Sequence, residues 1–224
     1  MAKLLLKGAR YVKCYAELTF GGKPTTIEGV IDYCVDRPIL MTQVRSEVLA
    51  LGKMLQELAP ERSLEIGTNY GGTLLLLCNI SPARAKIISV DLPLGPFGGG
   101  YPRRKIPLFR KFRKAGQQLH LIRADSHRQK TKEGVLRILD GESLDYLFLD
   151  GDHTYKGIRQ DFEMYAPLVR SGGIIALHDI AAHGASTECQ VDRFWREVKN
   201  RYRHQEIVES PGQGWAGLGI LFVP

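Results

Sequence analysis

Residues 64–73 read LEIGTNYGGT, an apolar run that leads straight into a glycine-rich turn. Glycine after a strand lets the backbone turn tightly and approach a ligand closely, and the helix that follows presents free amide groups. The spacing is G-x-x-x-G-G, whereas the dinucleotide-binding pattern is G-x-G-x-x-G. The turn therefore predicts a ligand cradle at the end of a strand and disfavours an NAD-linked oxidoreductase.

The segments around this turn alternate between strand-like and helical patterns. Apolar runs predict strands at 63–66, 86–90, 119–123, 144–149 and 173–177, and helical patterns occur at 43–58, 72–80, 108–115, 132–139 and 155–169. Such alternation is typical of a parallel sheet covered on both faces, and right-handed crossovers make it a doubly wound α/β fold. Beyond these, a helix at 191–202 and two closely spaced strands at 205–208 and 218–223 predict an antiparallel edge pair.

Acidic residues stand at the ends of the second and third predicted strands, where ligands of such sheets bind. Asp91 lies 24 residues after Gly67, and an acidic residue at about this distance commonly accepts ribose hydroxyls. Asp125 and Ser126 follow the third strand, and Asp125 either faces an adenine amino group or belongs to a solvated loop. Together with the glycine-rich turn, these residues favour a cofactor that contains a nucleoside.

Carboxylates and histidines end the fourth and fifth predicted strands. Asp150 follows the fourth strand with His153 close behind it, and His178 and Asp179 end the fifth. Adjacent parallel strands bring Asp150 and Asp179 together, and two such carboxylates repel unless they are protonated, hydrogen-bonded or bridged by a cation. The pair predicts a divalent-cation site, with His178 as a further ligand or a hydrogen-bonding group. His153 is the residue best suited to move a proton near neutral pH.

Three segments resemble the class I S-adenosylmethionine-dependent methyltransferases. LEIGTNYGG is similar to their first motif and SVDLP to their second. The run DYLFLDGDHTYKGIRQDFEMYAPLVRSGGIIALHDI, residues 145–180, resembles the bacterial O-methyltransferase group called methyltransferase family 24, which includes macrolide-sugar methyltransferases and cephalosporin-hydroxylase-like proteins. The resemblance covers residues 44–180 and implies a seven-stranded, Rossmann-like, mostly parallel sheet with a reversed final hairpin.

The resemblance implies S-adenosylmethionine as the cofactor and gives roles to the strand-end residues. Glu65, Gly67 and Gly71 would surround its methionine part, and Asp91 would hold its ribose. The cofactor-binding set implied in this way comprises Glu65, Gly67, Thr68, Asn69, Gly71, Asp91, Leu92, Asp125, Ser126 and Asp150.

The resemblance also implies a magnesium ion, held by an aspartate at the fourth strand end and an acidic pair at the fifth. Asp150 and Asp179 occupy two of these positions, whereas His178 stands where an acidic residue is expected. A nitrogen ligand suits Mn, Fe or Zn better than Mg. The expected metal is Mg or Mn, bound by Asp150, His178 and Asp179. The expected catalytic residues are Asp150 and His153. By resemblance, His153 matches a proposed catalytic base in the relatives.

We therefore expect metal-assisted O-methylation of a hydroxyl group on a sugar or other small polar metabolite. Coordination lowers the pKa of the hydroxyl group and a base removes its proton. A nucleic-acid methyltransferase and a cofactor-binding protein without methyl transfer are the alternatives that the sequence leaves open.

The net charge of +7 arises in one short stretch. Residues 101–114, YPRRKIPLFRKFRK, hold seven basic residues and no acidic one, which leaves 24 basic against 24 acidic residues elsewhere. Nucleic-acid binders usually spread their charge over a face, so a nucleic-acid partner is not expected. The preceding Gly- and Pro-rich loop predicts a lid formed by residues 98–105, which would attract an anionic small substrate, and a solvated charged helix at 108–115.

Residues 1–42 are the predicted N-terminal extension, and residues 43–224 are the predicted methyltransferase domain. Gly21-Gly22-Lys23-Pro24 predicts a turn between short extended segments, and the extension is a candidate cap over the site or a contact in a homo-oligomer. We expect no membrane span and no signal peptide. The four scattered cysteines show neither metal-site spacing nor a dense disulfide pattern, so we expect a cytoplasmic setting.

Overall fold

The computed structural model describes residues 2–35, 37–183 and 187–224, with side chains from residue 9 onward. Seven strands form one sheet in the order β3-β2-β1-β4-β5-β7-β6. Their bounds are β1 Arg62–Ile66, β2 Lys86–Asp91, β3 Gln118–Arg123, β4 Leu144–Leu149, β5 Val169–His178, β6 Arg203–Ile207 and β7 Leu218–Phe222. The strands β1 to β5 pair in parallel, and β7 lies antiparallel between β5 and β6. The predicted doubly wound sheet with an antiparallel edge hairpin is confirmed.

Eight α-helices occur in the described ranges: α1 Ala2–Phe20, α2 Ile27–Tyr33, α3 Arg45–Leu58, α4 Gly72–Ile80, α5 Ile106–Phe109, α6 Gln129–Leu139, α7 Tyr155–Tyr165 and α8 Val191–Val198. Local chemistry fixes several of their ends. Thr154 caps α7 by accepting a hydrogen bond from Gly157 N at 3.0 Å, and α3 ends at Leu58 with Ala59 as its C-cap, just before Pro60. Within these ranges, no helix combines the length and the apolar character needed to cross a membrane.

The centre of the sheet is buried on both faces, and β4 shows how its sequence achieves this. Tyr146 and Phe148 point into the cluster formed with α2, α3 and α4, whereas Leu147 and Leu149 point into the cluster formed with α6, α7 and α8. A strand that is covered on both faces needs apolar residues on both of its sides, which explains the run from Tyr146 to Leu149. Burial of these two layers fixes the strand ends that carry the site.

The N-terminal region differs from the expectation of short extended segments, because both sides of the predicted turn are helical. Along α1, Tyr11, Cys14, Tyr15 and Leu18 recur at helical spacing and pack into the cluster with α2, α3 and α4. The turn itself is confirmed, since Gly21 adopts a φ of +109°. The division of the chain at residue 42 stays a prediction.

The basic stretch also differs from its expected form. The helix is only Ile106–Phe109, preceded by a 3₁₀ turn, and four side chains of the stretch, Tyr101, Leu108, Phe109 and Phe112, are buried. The stretch packs against the N-terminal region: Tyr11 Oη donates a hydrogen bond to the carbonyl of Arg104 at 2.7 Å. The prediction of a wholly solvated helix at 108–115 is therefore wrong, because its apolar residues follow one buried face.

The turn after β1 depends on a close approach between two backbones. Gly67 has a φ of +91°, and a Cβ there would lie 1.9 Å from the carbonyl oxygen of Asp150 at the end of β4. Gly141 has a similar φ of +81°, but a Cβ there would meet open space. Substitutions at these two positions therefore separate the free-energy cost of a left-handed backbone from the free-energy cost of the steric clash.

We expect Gly67→Ala to lower the free energy of unfolding by more than about 3 kcal/mol, because β1 and β4 must move apart. Gly141→Ala is the matched control and should cost only about 1–2 kcal/mol for its left-handed conformation. Chemical denaturation of both variants measures the difference. Equal losses would contradict a close contact between Gly67 and Asp150.

Candidate active site

A cavity of about 660 Å³ lies at the carboxyl ends of β1 to β5. Most of the predicted site residues line it together: Gly67, Thr68, Asn69, Asp91, Leu92, Asp125, Ser126, Asp150, His153, His178 and Asp179. Two of the predicted residues, Glu65 and Gly71, are not among its lining residues. Gly71 is instead the N-cap residue of α4, where a Cβ would lie 2.7 Å from the ring of Phe109.

Glu65 lies behind the wall of the cavity and supports the glycine-rich turn. Its side chain is fully buried and accepts hydrogen bonds from the hydroxyl groups of Thr68, at 2.7 Å, and Thr73. Burial raises the pKa of Glu65 to about 8, despite the opposing effect of the two hydroxyl groups. This carboxyl group therefore connects the end of β1 to the first turn of α4.

Asp91 ties down the loop that follows β2. Its Oδ2 accepts hydrogen bonds from the backbone amides of Asn69, at 3.1 Å, and Tyr101, at 2.8 Å. Burial raises the pKa of Asp91, and the backbone donors oppose that rise. One carboxylate thereby joins the glycine-rich turn to the far end of the loop at 92–100. Of this loop, residues 92 and 95–98 line the cavity, whereas the basic residues at 103–114 do not.

The third strand end adds a histidine that the sequence analysis did not select. His127 lines the cavity next to Ser126, and its backbone amide donates to Asp125 Oδ1 at 2.9 Å. Its Nε2 lies 3.4 Å from Asp161 Oδ1, and this contact raises the pKa of His127. The position of His127 just after Asp125 and Ser126, at the end of the third strand, was the sequence signal that could have identified it.

The carboxylates and histidines of the fourth and fifth strand ends converge as predicted. His178 Nδ1 lies 3.2 Å from Asp150 Oδ1 and 3.3 Å from Asp179 Oδ2. His153 lies between the same carboxylates, with Nε2 at 3.4 Å from Asp150 Oδ1 and Nδ1 at 3.1 Å from Asp179 Oδ2. One donor atom each of Asp150, His178 and Asp179 lies within 4.8 Å of the other two, a set that fits a metal ion.

The ring of His178 supports that assignment. Its side chain is 7% exposed, and neither ring nitrogen has a hydrogen-bond partner among the described residues, although Nδ1 lies close to both carboxylates. A buried polar nitrogen without a hydrogen bond is costly, and coordination to a cation would satisfy it. The donor set of two carboxylates and one imidazole therefore fits a divalent ion of the Mn, Fe or Zn type.

The two histidines and the two carboxylates balance each other electrostatically. Burial opposes the protonated form of His153, but contacts with Asp150, Cys189 and Asp179 outweigh it and raise its pKa to about 11. Burial likewise opposes protonation of His178, and the charge of Asp150 raises its pKa to about 10. Burial would raise the pKa of both carboxyl groups, but the neighbouring imidazoles lower it. In this arrangement His153 is protonated at neutral pH.

Two residues that the sequence analysis passed over contact this cluster. Gln43, from the segment before α3, donates a hydrogen bond from Nε2 to Asp150 Oδ2 at 2.8 Å. Phe97, from the loop after β2, stacks on the ring of His153 with centroids 4.8 Å apart. Both residues line the cavity. Gln43 thus contacts Asp150, and Phe97 contacts His153, from two different connecting segments of the chain.

A buried carboxylate positions the loop between β6 and β7. Glu47 of α3 is fully buried and accepts hydrogen bonds from Gln213 Nε2 at 2.7 Å and from the amides of Glu209, at 3.2 Å, and Gly217, at 3.0 Å. Trp215 of this loop lines the cavity with half of its surface exposed. The clamp thus presents an indole ring at the cavity.

Residues 64–180 match the family described as "Methyltransferase domain", methyltransferase family 24. The match covers more than half of the chain and runs from β1 through β5, including the strand ends that line the cavity. The chain belongs to this family. Its glycine-rich turn and its carboxylate cluster both lie inside the matched segment.

Two curated proteins are similar to the chain. The uncharacterized protein y4gI of Sinorhizobium fredii is 26% identical over 174 residues, which cover 75% of this chain and 18% of that protein. The uncharacterized protein R132 of Acanthamoeba polyphaga mimivirus is 33% identical over 118 residues, which cover 52% of this chain and 50% of that protein. The chain therefore spans half or less of the length of these relatives.

Among solved structures, the fold is similar to that of an O-methyltransferase from Bacillus cereus in complex with SAH. The TM-score is 0.61 at 14% sequence identity, and the alignment covers 93% of this chain and 95% of the other. At this identity the likeness establishes the shared methyltransferase fold.

The buried carboxyl group of Glu65 makes stability depend on pH. Its pKa is about 8 in the folded chain and 4.5 as the ordinary value, so the folded state retains a proton that the unfolded state releases. Stability from this group is present below pH 4.5 and is lost as the pH rises towards 8. Glu65→Gln removes this contribution, and its amide can still pair with both hydroxyl groups because hydroxyl groups donate and accept.

We therefore expect the free energy of unfolding to fall less between pH 5 and pH 8 in Glu65→Gln than in the wild type. Denaturant titrations at several pH values measure this. Glu163→Gln, at an exposed position on α7, should retain the wild-type dependence. Parallel curves for wild type and Glu65→Gln would mean that Glu65 is ionised in the folded protein.

Proposed function

We propose that the protein is an S-adenosylmethionine-dependent O-methyltransferase that acts on a hydroxyl group of a sugar or other small polar metabolite with the help of a divalent cation. One observation carries the proposal: a single cavity joins the glycine-rich turn and Asp91 to the cluster of Asp150, His153, His178 and Asp179. Membership of the methyltransferase family supports the same reaction class.

The half of the cavity formed by β1, β2 and β3 fits the cofactor. A Cβ at Gly67 would collide with the carbonyl oxygen of Asp150, so glycine is needed where the turn after β1 reaches the cavity. Asp91 and Asp125 end the next two strands and offer carboxylate oxygens for ribose and adenine groups. S-adenosylmethionine supplies an activated methyl group, so the protein has to orient the acceptor and manage its proton.

The half formed by β4 and β5 suits this second task. A divalent ion held by Asp150, His178 and Asp179 would lower the pKa of an acceptor hydroxyl group. We assign His153 as the base in the site that holds the ion. Without the ion, the two carboxylates keep its ring protonated, and the positive charge of the ion would offset their effect. Phe97 and Gln43 orient His153 and Asp150, so that their side chains need not reorganise during the reaction.

We expect the acceptor to be a small polar molecule that contains a ring. Trp215 presents an exposed indole face at the cavity, and such a ring stacks well on a sugar or a planar acceptor. The basic residues at 103–114 do not line the cavity, so attraction of an anionic acceptor by that stretch has less support than the sequence suggested. The same placement argues against a nucleic-acid substrate held across the site by these residues.

Asp179→Asn tests the proposal. We expect methyl transfer to fall by roughly 100-fold or more, because metal assistance is worth several kcal/mol, while binding of S-adenosylhomocysteine changes little. Activity measured on a panel of sugar and phenolic acceptors, together with calorimetry for the cofactor product, separates the two effects. Mn²⁺ should restore activity of the chelator-treated wild type better than Mg²⁺.

Asp140→Asn is a matched control, since Asp140 and Asp179 both adopt a positive φ, of 54° and 63°, that asparagine tolerates. It lies at the end of α6 and should leave activity unchanged. Full activity of Asp179→Asn, or full activity after chelation, would exclude the metal-assisted mechanism. Failure of the wild type to bind S-adenosylhomocysteine would exclude the methyltransferase proposal itself.

A further inference from the structure

Cys189 lies beside the catalytic cluster, and the proposed reaction does not use it. The other three cysteines, Cys14, Cys34 and Cys78, are buried in the core, whereas Cys189 is only partly buried. The backbone holds it in place, because Gln190 N donates a hydrogen bond to the carbonyl of His153 at 2.8 Å where α8 begins. Its sulfur atom lies within 4.8 Å of a ring nitrogen of His153.

The thiol completes a second set of metal-binding donors. One donor atom each of His153, Asp179 and Cys189 lies within 4.8 Å of the other two, and His153 Nδ1 is 3.1 Å from Asp179 Oδ2. In a tetrahedral zinc site, neighbouring ligand atoms lie about 3.3–3.8 Å apart, so small side-chain rotations would complete the geometry.

We propose that Cys189, His153 and Asp179 form a thiolate-containing site for Zn²⁺ or a similarly soft divalent cation, and that an ion bound there inhibits the enzyme. Thiolate and imidazole donors select such ions over Mg²⁺. Asp179 belongs to both donor sets, and His153 is the assigned base. An ion held by Cys189 therefore withdraws both groups from the reaction.

The binding half of this inference stands on the donor geometry alone, whereas the inhibition half rests on the proposed methyltransferase function. The two halves need separate measurements. Cobalt(II) added to the full chain reports on binding, because coordination by a thiolate produces an intense near-ultraviolet absorption band that oxygen and nitrogen ligands do not produce.

We expect wild-type protein to develop this band with one equivalent of cobalt(II), and zinc to abolish it by displacement. Cys189→Ser should lose the band and weaken zinc binding by more than about ten-fold, because one metal–ligand bond is removed. Glu188→Gln, at the exposed neighbouring position, is the matched control and should keep the band. Absence of the band in the wild type, or its persistence in Cys189→Ser, would overturn the site.

Inhibition is tested by titrating zinc into the methyl-transfer reaction supported by manganese. The zinc concentration that halves each protein's own zinc-free rate should be more than about ten-fold higher for Cys189→Ser than for the wild type. Equal zinc sensitivity of the two proteins would overturn the inhibitory role. If no acceptor is methylated by either protein, the cobalt band still decides whether the site exists, and only the proposed function fails.

Discussion

The backbone contact between Gly67 and Asp150 is the constraint on which the site depends. The amide of Asp150 donates to the carbonyl of Ile66 at 2.8 Å, and the amide of Gly67 donates to the carbonyl of Val90 at 2.9 Å. These bonds join the ends of three neighbouring strands, and a side chain at residue 67 would force them apart. The half of the cavity assigned to the cofactor and the half assigned to the metal ion are thus connected through backbone atoms.

Charge balance is the second organising feature of the site. Asp150 and Asp179 lie close to two imidazole rings, and each carboxylate also accepts a neutral donor, Gln43 Nε2 for Asp150 and the amide of Ala216 for Asp179. These neutral donors keep the carboxylates oriented whichever cation balances their charge. The arrangement suits a site that has to hold its geometry through changes of local charge.

The sequence predicted the sheet and the strand-end residues because both follow from short-range patterns. The apolar runs and the carboxylates at positions 91, 150 and 179 each belong to one segment, and parallel pairing alone brings their ends together. Gln43, Phe97, Trp215 and Cys189 come from connecting segments, whose positions depend on contacts such as the Glu47 clamp, 162 residues away from Glu209. The N-terminal helix was missed although Tyr11, Cys14, Tyr15 and Leu18 carry helical spacing, because the Gly-Gly-Lys-Pro turn was taken to join short extended segments.

The strand order has a consequence for the kinetics of folding. The central strand β1 pairs with β2, whose residues are close along the chain, and with β4, where Ser63 aligns with Tyr146. The pairing of β1 with β4 closes a far longer loop than the pairing of β1 with β2. It therefore costs more chain entropy and is expected to form more slowly. We therefore expect the glycine-rich turn to form against β2 before the carboxylate of Asp150 reaches it. Competence to bind a metal ion should thus be a late event in folding, coincident with completion of the sheet.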